Sequence, residues 1–70
     1  NNMTLLEINA IKAMPAEYCL EGLRVMTING MVIAAHHEFA PIVFKDGAWK
    51  PIEMNWTTAV TSAQRVWFSR

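Results

Sequence analysis

Apolar residues recur along this 70-residue chain in two different rhythms. From Thr4 to Met14 they return every three or four positions. Leu5, Ile8 and Ile11 form one stripe, and Leu6, Ala10, Ala13 and Met14 lie beside it. That spacing predicts a helix over 4–14. Thr4 and Glu7 stand at capping-box spacing, where each side chain satisfies a backbone N–H at the helix start. Met3 and Ile8 occupy the staple positions. Pro15 ends this helix and opens a short helical turn from Pro15 to Glu21, closed by Gly22. A competing reading makes Tyr18 to Leu20 the lead-in to a strand.

From Leu23 onward the rhythm changes to β-rich runs broken by turn residues. Asn29-Gly30 between two such runs is a strong hairpin signal. A two-residue turn there pairs Ile28 with Met31, Met26 with Ile33, and Arg24 with Ala35. On the opposite face it pairs Thr27 with Val32, Val25 with Ala34, and Leu23 with His36. Neither face alternates with polar residues, so both are expected to be covered. A second hairpin follows, with Phe39 to Phe44 and Ala48 to Glu53 joined at Asp46-Gly47, and Phe44 opposite Trp49. Pro41 and Pro51 lack an N–H, and Lys50 with Pro51 marks the last arm as a protected edge.

Asn55 is a good N-cap for a second helix over 56–68, in which Trp56, Val60, Ala63 and Trp67 share a face. The expected architecture is a single α+β domain spanning 1–70. It has a four-stranded antiparallel meander of two hairpins, flanked by an N-terminal and a C-terminal helix packed on one face.

Composition sharpens this picture. Hydrophobic residues make up 53% of the chain, above the ~45–50% usual for soluble domains. So short a chain has little core to receive them, which points to apolar surface buried against another chain. Cys19 is the lone cysteine, so there is no intrachain disulfide and no cysteine-based zinc cluster. A lone thiol, no leader-like opening and no apolar run near membrane length make a cytoplasmic location the expectation. Asn1 and Asn2 read as additions ahead of a natural start at Met3. Six acids balance six bases, which argues against a dedicated nucleic-acid binder. Residues 55–70 nevertheless hold Arg65 and Arg70 and no acid.

Catalytic chemistry finds little support. His36 and His37 are adjacent, so in a regular strand they point apart; with Glu38 they can share a metal only if the chain bends. Otherwise one caps the edge of the core and the other meets solvent. Cys19 needs a base within hydrogen-bond reach, and nothing places either histidine there. The glycines are used by turns and a cap, so there is no phosphate loop. No cofactor or metal is expected.

The chain resembles many small phage and prophage proteins in size and style, though no motif carries that resemblance. The expected function is non-enzymatic: an inhibitor or adaptor that binds a larger protein through an apolar sheet face and forms a homodimer. With both helices on one face, the open face is the one holding Arg24, Met26, Met31 and Ile33. Methionine adapts to varied partner surfaces. The alternative is a small nucleic-acid-binding regulator that uses Lys45, Lys50, Arg65 and Arg70, with aromatics such as Trp49 as stacking surfaces.

Overall fold

The computed structural model describes residues 2–70. Helix α1 (Leu5–Lys12) begins at the expected capping box. The Glu7 N–H donates to Thr4 Oγ1 at 3.1 Å, and the Thr4 N–H donates to Glu7 Oε1 at 2.7 Å. The helix ends short of Pro15, whose ring disfavours helical geometry at Met14. A single 3-10 turn follows (Ala16–Tyr18), in agreement with the short-turn reading.

Four strands then form the meander: β1 (Arg24–Ile28), β2 (Met31–His36), β3 (Phe39–Lys45) and β4 (Ala48–Pro51). The first hairpin has the expected register throughout β1, from Ile28 opposite Met31 to Arg24 opposite Ala35. Asn29 and Gly30 both have positive φ, at 50° and 79°, as the twist of a two-residue hairpin requires. Asp46-Gly47 repeats the device, and Phe44 lies opposite Trp49 with ring centroids 5.4 Å apart. Between them β2 turns into β3 through His37-Glu38. One extra residue in β3 makes a bulge, so that Ala40 and Pro41 together oppose Ala35. A bulge is one of the few places a central strand tolerates proline.

Two expectations need correction. First, the second helix does not run over 56–68. Helix α2 covers Trp56–Ser62, and Arg65–Ser69 is a fifth strand, β5, antiparallel to β1. The sheet order is β4-β3-β2-β1-β5. The segment from 65 to 68 is rich in β-branched and aromatic side chains. Without it the outer edge of β1, whose Val25 and Met26 are buried, would leave backbone groups without partners.

Second, the helices do not share a face. Ala10 of α1 packs with Leu23, Val25, Val32, Ala34, Ile42 and Phe44. Ala59 of α2 packs with Met26 and Ala35 on the other side, beside Met54, Val60 and Ala63. The chain therefore covers both apolar faces of its first hairpin itself. Trp49 ties the β4 edge to α1 by donating its Nε1–H to the Ala10 carbonyl at 2.9 Å. No helix in the described residues is long and apolar enough to cross a membrane.

Gly30 has open space where a Cβ would project, so its replacement tests backbone strain alone. Gly30→Val is expected to cost ~1–3 kcal/mol in urea unfolding with an unchanged m-value. Gly22→Ala is expected to cost more. Its φ is 97°, and its Cβ would also lie 3.3 Å from His36 Nε2.

Candidate functional site

Bending at 37–38 does bring His36, His37 and Glu38 together, with one ligand atom of each within 4.8 Å of the others. The geometry nevertheless assigns His36 a different task. The Glu38 N–H donates to its Nδ1 at 3.0 Å, which leaves Nε2 to carry the proton and donate to the Glu21 carbonyl at 2.7 Å. Its ring lies between those of His37 and Phe39, with centroids at 4.4 and 5.4 Å. His36 is fully buried and both nitrogens serve backbone groups, so a metal would have to break one of those bonds. His37 is exposed and faces Glu38 at 3.8 Å.

Cys19 is half-buried, and its Sγ lies 3.6 Å from the Pro15 carbonyl. It lines an apolar cavity of about 230 Å³ with Ile11, Met14, Leu23, Val25 and Phe68. No histidine or carboxylate is in that wall, so nothing there activates the thiol.

A second buried polar group is Glu7, only 5% exposed. Trp67 Nε1–H donates to Thr27 Oγ1, and Thr27 donates to Glu7 Oε2 at 2.9 Å. The Arg65 guanidinium lies 3.8 Å from the centre of the Trp67 ring. Burial alone would push the Glu7 carboxyl up. The Thr4 amide, the Thr27 and Thr4 hydroxyls and the Arg65 charge outweigh it and hold the group below its ordinary value. This network fastens β5 to β1 and to α1.

It also shapes the free edge of the sheet. The extra residue in β5 lies between the pairs Val25–Phe68 and Met26–Val66. Trp67 and Phe68 consequently both face the α1 side, while Val66 faces the α2 side. Val66 is 51% exposed and Phe68 37%. Apolar side chains thus border an edge on which, among the described residues, no further strand sits. The opposite edge, β4, is short and carries Lys50 and Pro51.

The residues singled out in sequence are dispersed. Met26 and Ile33 have no accessible surface. The open-face reading assumed both helices on the other side, and α2 removes that premise. Arg24 is exposed, and Met31 lines a shallow depression with Val43, Lys45, Lys50 and Ile52. Asp46 and Glu53 lie in the same depression, and Lys50 Nζ is 3.7 Å from Asp46 Oδ2. Lys45 and Lys50 therefore sit at one edge of the sheet and Arg65 and Arg70 at the other. Three strands separate β4 from β5, or roughly 19 Å at normal strand spacing. Trp49 is half-buried, and its Nε1–H is held by the Ala10 carbonyl of α1. Sequence reasoning missed Val66 and Phe68. The signal was the run Arg-Val-Trp-Phe-Ser, which suits a strand as well as a helix end.

No family model matches this chain, and no curated protein or solved structure does either.

Two outcomes follow. Because the Glu7 pKa is lowered by folding, its contribution is complete above its unfolded value and is lost as pH falls through the folded one. Stability should decline below about pH 4.5, and Glu7→Gln should flatten that part of a pH series of urea unfolding. Zinc at roughly 0.1 mM should leave the thermal midpoint unchanged, since only binding to the native state would raise it.

Proposed function

We propose that this chain is a non-enzymatic protein-binding module of the inhibitor or adaptor type, and that it works through the free edge of β5. One observation carries the reading: the two edges of the same sheet are treated differently. β4 ends the sheet with Lys50 and Pro51, devices that block strand addition. β5 ends it with Arg-Val-Trp-Phe-Ser, which contains no proline, lysine or acid and whose one edge device is the bulge at Trp67. Native proteins rarely leave such an edge bare, because its unpaired N–H and C=O groups are a template for another strand. The described residues also bring no base to Cys19 and leave both His36 nitrogens on backbone groups. That supports binding over catalysis. Met26 and Ile33 have no accessible surface, so the homodimer expected from the sequence is assigned to this edge instead.

The test is affinity capture with nuclease-treated lysate, comparing wild type with Val66→Lys on β5 and Ala48→Lys on β4. Both positions are exposed, so both variants should fold. Val66→Lys should lower recovery of the captured protein by about tenfold or more. Ala48→Lys should leave it unchanged. Equal loss from both variants, or loss on nuclease treatment, would overturn the proposal.

A further inference from the structure

The charges around β5 indicate what adds to it. Arg65 and Arg70 bracket the apolar centre Val66-Trp67-Phe68, and Arg24 of β1 stands opposite Ser69. The ion pairs among the described residues are His37–Glu38 and Lys50–Asp46, so none of these three arginines has a carboxylate partner. Glu7 attracts Arg65 from the α1 side without forming an ion pair, so Arg65 is partly balanced and Arg24 and Arg70 are the less compensated charges. Glu21 is next to Gly22, whose N–H donates to the Arg70 carbonyl at 2.9 Å. Its carboxylate makes no ion pair with the Arg70 side chain. The edge is therefore apolar in the middle and cationic at both ends.

We propose that β5 takes up an extended segment of another polypeptide, apolar at its centre and acidic at both ends, as a sixth strand. This inference rests on the edge-docking reading above and adds the chemistry of the partner. A second copy of this chain fits less well, because of the β5 bulge. Residues opposite each other must project to the same side of the sheet. Trp67 and Phe68 share the α1 side and Val66 has the α2 side. Antiparallel pairing of two copies that respects this sets Trp67 against Phe68 of the second copy. Arg65 then falls opposite Arg70 at both ends, and like charges directly opposite destabilise a strand pair. Acidic ends turn the same two positions into favourable pairs.

The inference is tested with two capped peptides of about seven residues, both of alternating valine and threonine. One has glutamate at each end, the other lysine. Affinity is measured by titration, and the site by amide hydrogen exchange over 65–69. The glutamate-ended peptide should bind about tenfold more tightly or better, slow exchange in β5, and lose its advantage as salt rises. Arg65→Glu and, separately, Arg70→Glu should each remove most of the preference, and the double variant should reverse it. Arg70→Glu alone leaves the Arg65–Trp67 stack intact. Equal binding of the two peptides at β5 would overturn the charge assignment and leave edge docking standing. Absence of β5 protection by either peptide would overturn both. Concentration-dependent self-association that protects β5 without peptide would make a second copy the occupant and overturn this inference alone.

Discussion

A buried carboxylate must be surrounded by donors, and here that requirement organises the chain. Glu7 is placed by the helix start, where it serves the Thr4 amide. Its remaining acceptor capacity is satisfied across 20 residues of sequence by Thr27, which in turn accepts from Trp67. One short polar path thereby joins α1, the central hairpin and the last strand. Leaving such a group unpaired costs far more than one hydrogen bond gains. The path also sets the rotation of α1. With Glu7 turned inward, Ala10, Ile11 and Met14 follow it towards the sheet, and Leu5 and Leu6 are left outside, at 76% and 44% exposure.

The two-faced apolar hairpin finds its answer within the chain. α1 covers one side, α2 crosses the other on its way from β4 to β5, and small residues let both approach. Ala10 and Ala59 have no accessible surface, and each is the most deeply buried apolar position of its helix. With α1 over one face and α2 over the other, the sheet presents its edges and the depression beside Met31 and Val43. Of these, the two edges differ in the devices that block strand addition, and that contrast supports the proposed mode of binding.

Much of this was legible in sequence because the signals were local. Asn29-Gly30 and Asp46-Gly47 dictate turn geometry within two residues, and the pairing of β1 with β2 and of Phe44 with Trp49 follows by counting. β5 was not legible, because Trp67 continues the helical spacing of Trp56, Val60 and Ala63, and neither glycine nor proline interrupts it. What decides between helix and strand there is the empty edge of β1, some forty residues earlier. The same blind spot hid the site. Arg65 and Arg70 stood out as basic residues, but Val66 and Phe68 acquire meaning only once they lie on an edge. The inward face of α1 was hard to read for a related reason: its leading member is a glutamate.

The topology also sets an order of assembly. Three two-residue turns let β1 to β4 zip together through near neighbours, with little loss of chain entropy at each step. β5 has no such route. It must wait for α2 to span the sheet, and its Trp67 meets Thr27 across 40 residues. The strand assigned to recognition thus carries the longest loop closure in the sheet, and its hold depends on contacts distant in sequence. A partner strand laid against it would add local backbone bonds to those distant ones.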